Sequence, residues 1–183
     1  MLEQYLINHC APTLASLKTA NLFNCTAENP TALQMAVSRW QALLAPRGVE
    51  LLLLRESGDR ALVYVYRPDR LARDLQQPGV AAFLAHYGYT GTTPAACLDV
   101  LRRKLAVSSD FPHEIGLFLG YPPVDVEGFI DHGAKDFKCV GDWKVYGDEE
   151  QARRTFARYR ACTECYHAQW CSGKSVEQLT VAM

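Results

Sequence analysis

Two apolar runs separated by a short polar turn form the clearest pattern in the chain. Val49 to Arg55 is largely apolar, Ser57-Gly58-Asp59 is typical of a turn, and Ala61 to Tyr66 is rich in β-branched and aromatic residues. Two such runs joined by a short glycine-containing turn are typical of a hairpin. The pattern therefore predicts an antiparallel hairpin over about 49–67, which Pro68 ends because proline has no amide hydrogen to donate.

Helical spacing dominates the remaining pattern. After Asn29-Pro30, a typical N-cap and first helical residue, apolar side chains recur every three to four positions. The same spacing marks segments within 71–87, 93–105, 112–120 and 122–133. Asp148 and Gln151 begin a long helix that Gly173 ends, and Ser175 with Gln178 repeats the capping pattern. Leu2 to Asn8 predicts a short helix, and the run up to Phe23 predicts a strand or loop.

These elements predict an α+β fold, in which a small antiparallel sheet with a central hairpin is surrounded by helices. Strands and helices do not alternate regularly, which argues against a doubly wound parallel sheet. A chain of 183 residues fits a single globular domain over residues 1–183. The apolar periodicity predicts that the following side chains are largely buried: Trp40, Leu52, Leu62, Tyr64, Phe83, Leu101, Phe118 and Phe156.

The net charge and the hydropathy of the chain limit the cellular locations and the binding partners that can be expected. The formal net charge of −1 gives no general attraction to nucleic acid or to an anionic membrane. The segment 122–132, the second half of a possible helix–turn–helix, has three acidic residues and no lysine or arginine, so no nucleic-acid partner is expected. No apolar run is long enough to cross a membrane, and Glu3 stands where a secretory signal would be basic. We expect a cytoplasmic protein without a membrane partner.

The chain is rich in cysteine, with seven in all, and three of them form a C-terminal cluster with a histidine. Cys162, Cys165, His167 and Cys171 are predicted metal ligands, because thiolates and imidazole at short spacing suit zinc or iron. The distant Cys139 is an alternative fourth ligand. The competing interpretation is a helix that buries small thiols beside tyrosines, since a single CxxC pair is only half of a zinc-site signature.

Cys10 is the candidate nucleophile. A thiol near a cation or an imidazole has a lowered pKa, so Cys10 with His113 or Lys18 could form a catalytic pair. The alternative is a buried thiol at the end of a helix. His113 and Glu114 open a short helical segment, where the helix dipole by itself favours a carboxylate.

Several polar residues outside the cysteine cluster suggest an anion site. We predict that the following residues bind a small anionic ligand: Lys18, Arg67, Glu114, Lys144 and Tyr146. A core needs only apolar periodicity, so the hypothesis is that Cys10, Lys18, His113 and Lys144 face one pocket, within roughly 10–12 Å of one another. The competing interpretation is that each residue caps or pairs locally, with no shared site.

Five phrases of the chain resemble a family found largely in anaerobic bacteria, domain of unknown function 3793. They are HCAPTLASLKTANLF (9–23), LVYVYRPDRL (62–71), FPHEIGLFLGYPPVDVEGFI (111–130), GDWKVYGD (141–148) and SVEQLTV (175–181). The resemblance implies an identity without an established activity. Cys162-Thr163 also agrees with the family pattern, whereas Cys165 and Cys171 do not carry the resemblance. The resemblance also implies, by association only, a link to redox or iron physiology through relatives encoded near flavodoxins and metal-uptake genes.

The sequence therefore favours an uncharacterised cytosolic protein that binds a metal or a small ligand and assists redox chemistry. One alternative is a cysteine-dependent enzyme that uses Cys10 with His113 or Lys18. Another is a non-catalytic interaction module. The sequence leaves open whether the protein is an enzyme.

Overall fold

A computed structural model describes residues 2–26, 29–91, 93–107 and 111–182. Within these ranges the elements are α1 (Leu2–Leu14), β1 (Ala20–Thr26), α2 (Pro30–Leu44), a 3-10 turn (Ala45–Arg47), β2 (Glu50–Ser57), β3 (Arg60–Tyr66), α3 (Pro68–Leu75), α4 (Val80–His86), α5 (Pro94–Val107), α6 (Ile115–Phe118), α7 (Pro123–Asp131), β4 (Cys139–Val140), β5 (Lys144–Val145), α8 (Glu149–Cys171) and α9 (Val176–Leu179). The predicted α+β class is confirmed.

The main sheet has three antiparallel strands in the order β1-β3-β2. The predicted hairpin is confirmed as β2 and β3, and Gly58 supplies the positive φ of 61° that its turn needs. Tyr64 at the centre of the sheet lies opposite Leu22 on one side and Leu52 on the other. A register shift between Leu53 and Arg55 makes an irregularity in β2, which is an edge strand.

The chain divides into two compact units. The first unit comprises the residues up to Arg70 together with those from Ala161 onward, and the second runs from Leu71 to Arg160. The main sheet, α1, α2 and α9 belong to the first unit; α4 to α7 and the β4–β5 ribbon belong to the second. That residues 1–183 form a single domain stays a prediction.

Helix α1 is longer than its sequence predicts. It continues from Leu2 to Leu14 although Pro12 lies inside it, where proline cannot donate the usual helical hydrogen bond. Its Leu6, Cys10 and Leu14 are fully buried in the core of the first unit. Burial of this face stabilises the helix beyond its local propensity, so the strand predicted before Phe23 begins only at Ala20.

The predicted helix caps are confirmed. The Asn29 side chain accepts hydrogen bonds from the first amides of α2. Asp148 Oδ1 accepts from the Gln151 amide at 3.0 Å, and Ser175 and Gln178 form a complete capping box on α9. Such local pairs are set by spacing along the chain, which is why the sequence reveals them.

Residues 137–146, whose sequence predicts a single strand, contain a short ribbon of two strands in the second unit. Cys139 pairs with Val145 and Val140 with Lys144. Cys139 and Val145 are buried against Ala152 and Phe156 of α8. Gly141 turns the ribbon in close contact with Phe156, since a Cβ on this glycine would lie 2.3 Å from the phenyl ring.

Most of the residues predicted to be buried are buried, namely Leu62, Tyr64, Leu101, Phe118 and Phe156. Trp40, Leu52 and Phe83 are only half-buried. Leu52 lies on the edge strand β2, which has a neighbouring strand on one side only. Within the described ranges, no helix combines the length and the apolar character needed to cross a bilayer.

Candidate functional site

Arg67 is a fully buried arginine in the first unit. Its Nε donates to the carbonyl oxygen of Thr13 at 2.7 Å, and its Nη2 donates to the carbonyls of Leu14 and Val181 at 2.7 and 2.8 Å. Thr13 and Leu14 end α1, where carbonyls lack helical partners and the helix dipole favours a cation. These contacts give Arg67 a structural role, and ligand binding by Arg67 stays a prediction.

Cys10 and Lys18 also lie inside the first unit. Cys10 is fully buried on α1 and Lys18 is nearly so. Burial raises the pKa of the Cys10 thiol far above its ordinary value, and the positive charge of Lys18 offsets only part of that rise. The thiol is therefore held protonated, which opposes a role as nucleophile. Catalysis by Cys10 stays a prediction that the burial does not support.

The C-terminal cysteines lie along α8 in different environments. Cys162 is half-buried, and burial together with the nearby Cys165 raises its pKa to about 11. Cys165 and Cys171 are exposed. The Cys165 sulfur accepts a hydrogen bond from Gln169 Nε2 at 3.1 Å, while Cys171 Sγ lies 3.7 Å from His167 Nδ1.

These positions bear on the metal hypothesis. Among the residues that the structure describes, no three His, Cys, Asp or Glu side chains are grouped so that they could hold a metal ion. Cys139, the alternative fourth ligand, is buried in the core of the second unit. Zinc or iron at the cluster stays a prediction.

Asp125, in the first turn of α7, is a buried carboxylate that the sequence does not reveal as important. Its Oδ1 accepts hydrogen bonds from the amides of Tyr146 and Gly147 at 2.8 and 2.7 Å. Its Oδ2 accepts from Trp143 Nε1 at 2.7 Å. One side chain therefore ties α7 to the residues on both sides of β5, and so fixes the position of the Trp143 indole. The only sequence signal is an acidic residue in a first helical turn, which is common.

Lys144 and Tyr146 both contact the loop after α7. Lys144 Nζ donates to the carbonyl of Ala134 at 2.8 Å and lies 4.7 Å from the centre of the Phe137 ring. Tyr146 Oη donates to the carbonyl of Lys135 at 2.9 Å. Ala134 has a positive φ of 64°, a conformation that alanine seldom adopts, and these side-chain contacts help to hold it.

A cleft of about 350 Å³ lies beside these residues in the second unit. We call it the aromatic cleft; its walls include His113, Ile115, Leu119, Tyr121, Asp125, Val126, Phe129, Val140, Asp142, Trp143 and Lys144. The Tyr121 and Trp143 rings stack with centres 4.8 Å apart. The Phe129 ring stands edge-on to the His113 imidazole, with centres 5.0 Å apart. The cleft therefore offers several flat aromatic surfaces.

A second cleft, of about 400 Å³, also lies in the second unit. We call it the polar cleft; it is lined by Tyr87, Lys104, Phe111, Pro112, His113, Glu114 and Ile130. Glu114 is buried, and its Oε1 lies 2.6 Å from Lys104 Nζ and accepts a hydrogen bond from Tyr89 Oη at 3.2 Å. The Lys104 ammonium also lies 4.9 Å from the centre of the Tyr89 ring. Lys104 is a partner of Glu114 that the sequence does not indicate.

His113 lines both clefts, as does Phe111. The His113 side chain is exposed, and its ring makes no hydrogen bond to any of the described residues. The amide of Gly116 donates to the His113 carbonyl, so the start of α6 fixes the backbone beneath the ring. The edge-on contact with Phe129 helps to position the imidazole, which can still donate or accept a hydrogen bond.

The structure brings together part of the predicted site. His113 and Lys144 line the aromatic cleft, and Glu114 lines the polar cleft beside it. Cys10 and Lys18 belong to the first unit, and a pocket that they share with His113 and Lys144 stays a prediction. The sequence does not indicate Lys104 as a site residue, because a lysine on an amphipathic helix is usually solvated.

The fold and the clefts define an α+β protein with two ligand-sized concavities lined by aromatic and basic residues. The chain belongs to the DUF3793 family, described as a protein of unknown function, whose model matches residues 6–180. Comparison with curated proteins and with solved structures gives no match. The family predicted from the signature phrases is confirmed.

Proposed function

We propose that this chain is a small-ligand-binding protein and that the aromatic cleft holds a flat, apolar ligand body. The single observation that supports the proposal is a cleft of about 350 Å³ whose walls are mainly apolar and aromatic side chains. Small-molecule sites are typically concavities of roughly 300–1,000 Å³ with apolar walls and a few placed polar groups. The volume is enough for a ligand of two fused rings.

The rings in the wall suit an aromatic ligand better than an aliphatic one. Tyr121 and Trp143 are already stacked, and the hydrogen bond from Trp143 to Asp125 holds the indole in place. A ring positioned in advance loses little conformational freedom when a flat ligand packs on it. Phe129 and His113 present further ring surfaces in the same cleft.

The basic residues favour an anionic substituent on that ligand. Lys144 lines the aromatic cleft and Lys104 lines the polar cleft. An ammonium group has three donors. Among the described residues, the hydrogen bonds of each lysine engage one carbonyl or one carboxylate, so donors remain for a ligand oxygen. A charge-assisted hydrogen bond of this kind is stronger than a neutral one.

Binding of 2-naphthoate, followed by isothermal titration calorimetry, tests the proposal. We expect a dissociation constant on the order of 100 μM, as befits a ligand of this size. Val140 lines the cleft and is 61% exposed, so Val140→Trp should fill the cleft without disturbing the core and weaken binding at least tenfold. Val107→Trp is the matched control, because Val107 is exposed and lines neither cleft. No detectable binding, or equal binding by the Val140→Trp variant, would refute the proposal.

A metal is the second candidate, and it is favoured by the 3.7 Å approach of His167 Nδ1 to Cys171 Sγ. An imidazole and a thiol four residues apart on an exposed helix face can chelate zinc as two of its four ligands. Water or another molecule would supply the remaining ligands.

A further inference from the structure

We propose that the polar cleft binds the acid group of the ligand, with Lys104 Nζ and the His113 imidazole as hydrogen-bond donors to a carboxylate. The ligand class would then be an aromatic carboxylic acid, its rings in the aromatic cleft and its acid group in the polar cleft. The inference rests on the proposed function and names the residues that select the ligand.

The ion pair of Lys104 and Glu114 presents its positive side to the cleft. The Lys104 side chain is 30% exposed, whereas the Glu114 side chain is 4% exposed. Tyr89 Oη and Lys104 Nζ both bind Oε1 of Glu114, which holds the carboxylate in the interior. A molecule entering the polar cleft therefore meets the ammonium group more readily than the carboxylate.

His113 adds a second donor at the same place. Its exposed ring lines the polar cleft and makes no hydrogen bond to any described residue. A neutral imidazole donates one N–H, and a protonated one donates two. Two donors that converge on one cleft suit the two oxygens of a carboxylate.

The two clefts can serve a single ligand because they have two wall residues in common, Phe111 and His113. A molecule whose rings lie beside Phe129 need only extend past the His113 ring to enter the polar cleft. The edge-on contact of His113 with Phe129 places this imidazole at the border of the aromatic cleft.

Lys144 is the competing anchor for the acid group, and its surroundings are less favourable. The aromatic cleft is also lined by the carboxylates of Asp125 and Asp142, which repel an anion. The indole N–H of Trp143 already donates to Asp125, so it offers no second donor. Lys144 itself donates to the Ala134 carbonyl and lies against the Phe137 ring.

The experiment compares 2-naphthoate with the neutral 2-naphthamide, two probes of nearly the same shape, by isothermal titration calorimetry. We expect the wild type to bind 2-naphthoate about tenfold more tightly, a difference of about 1.4 kcal/mol. Lys104→Met combined with Glu114→Gln removes both charges together and leaves an acceptor for Tyr89, so no buried charge is left unpaired. This double variant should bind the two probes equally, and Lys144→Met should keep the preference.

Glu114→Gln alone gives a second readout that does not depend on the double variant. It keeps the size of the side chain but removes the negative charge that neutralises Lys104. We expect it to tighten 2-naphthoate binding several-fold and to change 2-naphthamide binding by a smaller factor. Circular dichroism of each variant confirms that it is folded.

The outcomes separate this inference from the proposed function. Equal binding of the two probes to the wild type overturns the inference and leaves the proposed function standing. A preference that survives in the double variant but is lost in Lys144→Met also overturns it and assigns the acid group to the aromatic cleft. If neither probe binds the wild type, both proposals fail.

Discussion

Each compact unit of the molecule contains a buried ionic side chain whose partners include backbone groups. In the first unit Arg67 donates to the carbonyls of Thr13, Leu14 and Val181. In the second unit Asp125 accepts from two backbone amides and from the Trp143 indole. Both belong to the signature phrases of the family, and both join segments that are distant in sequence.

The two side chains differ in what surrounds them. Arg67 is fully buried, and its carbonyl partners lie at the end of α1 and near the C-terminus. Asp125 lies in the wall of the aromatic cleft. A buried charge therefore stabilises a core in one unit and shapes a cavity in the other. The partners of each side chain, and not its residue type, therefore decide whether its role is structural or functional.

The largest expected effect is on the stability of the first unit. Arg67→Met removes a donor from the carbonyls of Thr13, Leu14, Arg47 and Val181. The Thr13 and Leu14 carbonyls keep a second donor in the amides of Ser16 and Val181, and each carbonyl left unsatisfied costs about 1–3 kcal/mol. We expect the free energy of unfolding to fall by about 4 kcal/mol, measured by urea denaturation. Arg39→Met, at an exposed arginine of α2, should change it by less than about 0.5 kcal/mol. A loss below about 1 kcal/mol for Arg67→Met would show that Arg67 contributes less to stability than its hydrogen bonds indicate.

Asp125→Ala should combine a smaller loss of stability with a loss of binding. Three donors lose their acceptor, two of them in backbone that can relax toward solvent, so we expect a loss of about 2–3 kcal/mol in thermal unfolding. Because the Trp143 indole is then no longer held, binding of 2-naphthoate should weaken at least tenfold. Asp131→Ala, at an exposed position of the same helix, is the control. If Asp125→Ala binds 2-naphthoate as tightly as the wild type, this carboxylate does not contribute to ligand binding in the cleft.

The buried Cys10 thiol of the first unit makes stability depend on alkaline pH. Cys10 has a pKa raised by burial, so the folded state holds its proton after the unfolded state has lost it. The contribution is complete below the ordinary pKa of 9.0 and decreases as the pH rises above it, by about 1.4 kcal/mol per pH unit. Cys10→Ala should remove this slope between about pH 9 and pH 10.5. Urea unfolding curves of both proteins check it, and their difference in stability should stay constant below about pH 8. If the free energy of unfolding has the same slope against pH in both proteins above pH 9, Cys10 titrates as an accessible thiol.

The smallest expected effect concerns zinc at His167 and Cys171. We expect Cys171→Ser to weaken zinc binding by about tenfold, since it removes one of two adjacent ligands. Saturating zinc should stabilise the wild type by only about 1–2 kcal/mol, because half of the coordination comes from outside this pair. Cys165→Ser is the control: Cys165 is also exposed, but its sulfur contacts Gln169. If Cys171→Ser binds zinc as tightly as the wild type, His167 and Cys171 do not form the zinc site.

Local features of the fold follow directly from the amino-acid sequence. The β2–β3 hairpin, the Asn29 and Ser175 caps and the start of α8 at Asp148 are all correctly predicted. Each depends on residues that are close together in the chain, where spacing and residue type fix the geometry. Pro12 is the informative exception, because tertiary burial of α1 outweighs the local preference to end the helix.

The sequence by itself determined the α+β class, the hairpin, the helix caps and the family. Only the tertiary structure decided what the polar residues do. Arg67 lies 54 and 114 positions from the Thr13 and Val181 carbonyls that it binds, and Asp125 lies 18 positions from Trp143. Lys104 and Glu114 are joined across 10 positions that include residues between two helices. A short-range pattern cannot encode such pairs, because the path of the chain through the core determines which donor reaches which acceptor.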